Sequence, residues 1–92
     1  MIILRIEHPV PDYNAWKVAF DNDPVDRKGS GVKRYSIFQP LEDPNYVIID
    51  LEFDTADEAK GLLNKLYNLW KAVEGKIIFN PKATILQSMD LS

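Results

Sequence analysis

The chain contains no cysteine, which excludes disulfides and thiolate metal sites. Histidine occurs once, at His8, so a multi-histidine metal site cannot form within one chain. No metal or other cofactor is therefore expected. Long apolar runs are missing as well. The opening MIIL is interrupted by Arg5 and Glu7, and nothing approaches the roughly 20 residues that a membrane span needs. The same opening lacks the basic start, long apolar core and small-residue cleavage site of a signal peptide. A cytoplasmic protein without a membrane partner is the expectation. Positive charge is not in excess: the formal charge is −3, which gives no general attraction to nucleic acid or anionic lipid.

What is present is globular. With 46% hydrophobic and 27% charged residues, disorder and low-complexity classes are set aside. The 92 residues suffice for one domain, 1–92. A domain of this size buries only about two-thirds of the surface its unfolded chain exposes. It must be economical or share a core with a partner.

Residues 1–8 alternate as a strand, with Ile2, Leu4 and Ile6 on one face and Ile3, Arg5 and Glu7 on the other. Pro9 and Pro11 lack an N–H and are expected to stop ladder pairing. A first helix should open at Pro11 or Asp12, with Tyr13, Trp16, Lys17 and Phe20 at helical spacing, and fade near Asp21–Asp23. "PVDRKGSG" (24–31) reads as a polar, flexible connection. It could cradle an anion, but it neither follows a strand nor opens a helix, as a phosphate loop should.

Strands are expected over about 32–39 and 46–53, joined by the turn "PLEDPN". Thr55-Ala56-Asp57-Glu58 is a capping box that opens a second helix along Ala59, Leu62, Leu63, Leu66, Trp70 and Val73. Gly61 weakens that helix, so a break between Tyr67 and Trp70 is allowed, and Gly75 is a natural stop. A last strand follows at about 83–89.

This order, β-α-β-β-α-β, leads by right-handed crossovers to a four-stranded antiparallel α+β sheet of order 4-1-3-2 with both helices on one face. The other face is left uncovered. It should carry Ile3, Arg5, Glu7, Tyr46, Ile48, Asp50 and Glu52, with Thr84, Leu86 and Ser88 or their alternates. The facing of strand 2 stays open, since Tyr35/Ile37 and Ser36/Phe38 each fit the helix side. An RNA-recognition domain would need aromatics on strands 1 and 3 within a basic surface. Tyr46 stands alone among acids, so no nucleic-acid partner is expected. A soft-metal chaperone would need a Cys-x-x-Cys pair.

The chain resembles the dimeric α+β barrel superfamily, a ferredoxin-like group that includes the antibiotic-biosynthesis-monooxygenase-like proteins. The resemblance rests on the short strand IILRIEH, the helix DYNAWKVAF, the hairpin GVKRYSIFQPLEDPNYVIIDLEF, the helix opening TADEAKGLL and a last strand after FNP. It covers nearly the whole chain. It implies a homodimer whose two sheets enclose a barrel. It does not imply one activity, because the group holds cofactor-free monooxygenases, haem-degrading enzymes, isomerase- and dehydratase-like enzymes and members without known chemistry. The haem-degrading members use a histidine on a helix. Neither predicted helix here has one, so that activity is not carried over. Asn14, Asn64 and Asn68 are the asparagines near the predicted pocket walls, and none matches well enough to be named catalytic.

Two residues are catalytic candidates. Asp50 lies mid-strand in "VIIDLEF", where aspartate is disfavoured. It is either an acid–base carboxylate in a partly dry barrel, with Glu52 two residues on along the same face, or part of a charge network with Arg5 and Lys33 or Arg34 that sets dimer register. His8 is either a general base or a strand-end histidine bonded to backbone. Pocket candidates are Arg5, Tyr46 and Glu52 on the sheet face, and Tyr13, Trp16 and Trp70 on the helices. For the helix aromatics, core packing is the alternative. Ile77, Ile78 and Phe79 read as dimer or core contacts.

Two functions follow. One is a small enzyme or binder for a hydrophobic or aromatic metabolite, with a cavity of a few hundred Å3. The other is a non-catalytic dimerisation or regulatory module.

Overall fold

The structure, a computed structural model, describes residues 1–90. Its elements are β1 (Ile2–Pro9), α1 (Tyr13–Asp21), β2 (Arg34–Phe38), β3 (Tyr46–Phe53), α2 (Ala56–Val73) and β4 (Lys82–Gln87). The strands form one antiparallel sheet of order β2-β3-β1-β4, the order expected from the crossover rule. Among the described residues, no helix is long and apolar enough to cross a membrane.

Local chemistry sets most boundaries. Asp12 is the N-cap of α1: its backbone is extended and its side chain accepts from the Asn14 N–H, so Pro11 lies outside the helix. β1 runs one residue further than expected, to Pro9 opposite Tyr46. Pro9 cannot donate, but its carbonyl accepts from the Phe79 N–H. The capping box of α2 is complete: Glu58 N–H bonds to Thr55 Oγ1, and Thr55 N–H bonds to Glu58 Oε1. α2 then runs unbroken through Gly61 and past Tyr67, without the break allowed for above. Its buried stripe of Ala59, Leu62, Leu66 and Trp70 packs along its length and offsets the helix-weakening glycine. The helix ends at Val73 with Glu74 as its extended C-cap, and Gly75 follows with φ of 84°.

Strand register decides which side each residue serves. Leu4 pairs with Leu51, Ile6 with Ile49 and His8 with Val47, and all six are buried under the helices. Tyr35 and Ile37 stand opposite Leu51 and Ile49, so they point to the helix side. Arg34, Ser36 and Phe38 therefore share the open face with Glu52, Asp50 and Ile48, which settles the facing of β2. Phe53, Leu4, Leu62 and Val47 are fully buried. Each such side chain stabilises the fold by about 1.5–3 kcal/mol.

The two helices sit differently on this layer. α2 lies close against β1, β3 and β4, whereas the α1 backbone stands off from the sheet. Large side chains fill part of the interval. Tyr13, Trp16, Phe20 and Tyr35 form a run of ring contacts with centroid separations of 5.8, 5.1 and 5.2 Å. The connection after α1 is drawn into the same region by its own bonds. Ser30 Oγ donates to the Val25 carbonyl, and Lys65 Nζ on α2 donates to Ser30 Oγ at 2.7 Å. The space left between α1, α2 and the sheet is the cavity described next.

Candidate functional site

The cavity has a volume of about 110 Å3. Its walls are Ile6 and His8 from β1, Ile49 and Leu51 from β3, Trp16, Ala19 and Phe20 from α1, and Leu66, Leu69, Trp70 and Val73 from α2. Pro24, Val25 and Arg27 close one side, and Ile77 and Ile78 close another. It is smaller than the few hundred Å3 expected from sequence, because Trp16 and Phe20 occupy the interval between α1 and the sheet. An engineered apolar cavity of about 150 Å3 takes up one benzene, so this space is of the order of a single ring.

His8 is the buried polar residue of this wall, with only 2% of its surface exposed. The period of two along β1 places it on the same side as Leu4 and Ile6. Its Nδ1 lies 3.2 Å from the Pro9 carbonyl oxygen. A carbonyl can only accept, so in the neutral ring Nδ1 carries the hydrogen and Nε2 carries the lone pair. Nε2 has no hydrogen-bond partner among the described residues, and no fully buried side-chain nitrogen or oxygen there lacks one. Nε2 therefore retains some accessible surface, on a residue that lines the cavity. Burial pushes the His8 pKa below its ordinary value, partly opposed by the Pro9 carbonyl. The ring is accordingly neutral at pH 7. Trp16 meets it edge to face, with centroids 6.1 Å apart.

Arg27 is the charged residue at the rim. Its guanidinium carbon lies 3.8 Å from the Phe20 ring centroid and 5.0 Å from that of Tyr35. Nη1 donates to the Phe20 carbonyl at 2.7 Å, and Nε lies 3.3 Å from Asp23 Oδ1. The guanidinium thus clamps the end of α1 and the following loop over the cavity.

The open sheet face holds the other polar candidates. Arg5 Nε and Nη2 donate to the two oxygens of Asp50 at 2.8 and 2.9 Å. Arg34 lies 3.6 Å from Glu52. The Tyr46 hydroxyl donates to Glu7 at 2.6 Å, and that bond pushes the phenol up to about 12.

The sequence-derived candidates therefore fall on two sides of the sheet. His8, Trp16 and Trp70 line the cavity, and Tyr13 packs against Trp16 without lining it. Arg5, Tyr46, Asp50 and Glu52 lie on the opposite face, separated from the cavity by the sheet. Ile78 is core, Ile77 is half-buried and Phe79 is exposed. The rim role of Arg27 was not read from the sequence. Nothing local to "PVDRKGSG" signals that its arginine folds back over Phe20. The orientation of His8 was available, since it continues the alternation of Ile2, Leu4 and Ile6.

Comparison with protein-family models and with curated proteins gives no match. Solved structures do match. SnoaB, a cofactor-independent oxygenase from Streptomyces nogalater, superposes with a TM-score of 0.77 at 9% identity, over 98% of this chain and 94% of its own. An antibiotic-biosynthesis-monooxygenase-like protein from Bordetella bronchiseptica gives 0.72 at 15% identity, over 96% and 97% of the two chains. A dimeric ferredoxin-like protein from an uncultured marine organism gives 0.66 at 10% identity, over 100% and 98%. The chain thus has the ferredoxin-like α+β fold of the antibiotic-biosynthesis-monooxygenase-like proteins, in agreement with the resemblance read from its sequence.

Proposed function

We propose that this chain is a homodimeric α+β barrel protein that binds a small hydrophobic or aromatic molecule in the cavity between its helices and its sheet. The observation that carries the reading is the cavity itself: a space of about 110 Å3 walled by apolar and aromatic side chains, with His8 set among them. Such a wall favours a flat apolar ligand through area removed from water and through ring contacts. The reaction class attached to it is oxygenation without a cofactor, the activity named for SnoaB. The pocket residues are His8, Trp16 and Trp70. The open sheet face serves dimerisation, because Ile3, Ile48 and Leu86 are only partly covered there in the single chain.

A non-catalytic dimerisation module is the second reading, favoured by the bidentate Arg5–Asp50 pair on that face. Titration with benzene and toluene, followed by tryptophan fluorescence, separates the two. Saturable quenching that disappears in Ala19→Leu, where the larger side chain fills the cavity, supports the binder. No saturable change in the native chain supports the module.

A further inference from the structure

We propose that the cavity takes a ring bearing a hydroxyl group, a phenol-type ligand, and that His8 Nε2 accepts its hydrogen. This rests on the reading of the cavity as a ligand site and adds the ligand's chemistry. Three observations carry it.

The space is of single-ring size, which favours a monocyclic ligand over a fused polycycle. The one lone pair offered by a buried side chain in its wall is at Nε2, because the Pro9 carbonyl fixes the hydrogen on Nδ1. The charged wall residue, Arg27, has no acceptor, and its guanidinium is engaged by the Phe20 carbonyl and Asp23.

A ligand entering this space leaves Nε2 without water. A plain arene would therefore strand a buried acceptor, whereas a hydroxyl restores its bond. Against Nε2 itself a carboxylate offers only acceptors, whereas a hydroxyl offers a hydrogen. A neutral hydroxylated ring satisfies both the apolar walls and Nε2. Trp16, edge-on to His8, limits how the ring can sit beside the imidazole.

The test uses benzene, phenol and fluorobenzene, the last being close to phenol in shape but without a donor. Dissociation constants are measured for the full native chain and for His8→Phe and His8→Gln. The preference for phenol over fluorobenzene should be up to about tenfold larger in the native chain than in His8→Phe. His8→Gln, which keeps an acceptor oxygen, should retain part of it. The single histidine also gives one unambiguous set of imidazole 15N resonances. Fluorobenzene, which takes water from Nε2 without replacing its bond, should move the Nε2 resonance to higher frequency, and phenol, which restores the bond, should hold it at lower frequency than fluorobenzene does. This second readout needs no variant and stands even if His8→Phe fails to fold.

Binding of phenol and fluorobenzene with the same Nε2 resonance in both, or a phenol preference undiminished in His8→Phe, overturns the inference and leaves the cavity reading intact. Absence of binding by all three probes overturns both.

Discussion

Arg5 and Asp50 stand directly opposite each other on β1 and β3, and the guanidinium meets both carboxylate oxygens, at 2.8 and 2.9 Å. In the single chain the pair sits on an uncovered face, with 44% of the Arg5 side chain exposed. Exposed pairs contribute up to about 1 kcal/mol, whereas breaking a buried one costs about 3–5 kcal/mol. The size of the loss therefore reports whether a second sheet covers this face. Asp50→Asn should destabilise the protein by about 3 kcal/mol in urea unfolding and lower the dimer fraction on dilution, measured by light scattering. A loss below about 1 kcal/mol, with no change in mass, would mean that the face stays open.

His8 predicts a specific pH dependence. Its folded-state pKa lies below the ordinary 6.5. As pH falls below that value, the unfolded chain takes up a proton that the folded chain does not. Unfolding free energy should then decrease with falling pH until the folded-state pKa is reached, with a slope of at most about 1.4 kcal/mol per pH unit. No other histidine contributes, so the slope just above the carboxylate range belongs to His8. Urea midpoints between about pH 6.5 and 5 should flatten in His8→Gln relative to the native chain. Equal slopes in the two proteins would count against a buried neutral ring.

Arg27 should not tolerate lysine. A lysine keeps the charge but loses the planar stack on Phe20 and the fork that joins the Phe20 carbonyl to Asp23. Arg27→Lys should cost about 1–2 kcal/mol in stability. It should also speed ligand release from the cavity, read by stopped-flow tryptophan fluorescence. An unchanged midpoint and release rate would remove Arg27 from the account.

The capping box gives a simpler prediction. Thr55→Ala removes the acceptor for the Glu58 N–H and the hydroxyl that contacts Glu58 Oε1. The expected loss is about 1 kcal/mol, equivalent to about 4–8 °C in Tm for a domain of this size. Calorimetry checks it, and a shift below about 1 °C would show that the start of α2 is held by packing alone.

The parts of the fold written in local chemistry were legible in the sequence. The alternation of β1 and β3, the Thr55–Glu58 box and the two turn clusters fixed the element order, and the crossover rule then fixed the sheet. The site was legible only in pieces. Trp16 and Trp70 could be assigned to inner helix faces, but periodicity does not say whether a helix lies tight against a sheet or stands away from it. That difference between α1 and α2 creates the cavity. Asp50 drew attention as an acid in a central strand, and its environment proved to be the Arg5 guanidinium on the face away from the cavity. Arg27 lies seven residues beyond Phe20 in a glycine-containing loop, and its return to that ring is a tertiary event with no local signature.

The central claim is that the ligand site lies between the helices and the sheet. A crystal of the native protein pressurised with xenon tests it most directly, since xenon enters cavities with apolar walls. The account predicts xenon density bounded by His8, Trp16, Leu66 and Trp70. Density confined to the open sheet face, or none in the protein, would contradict it.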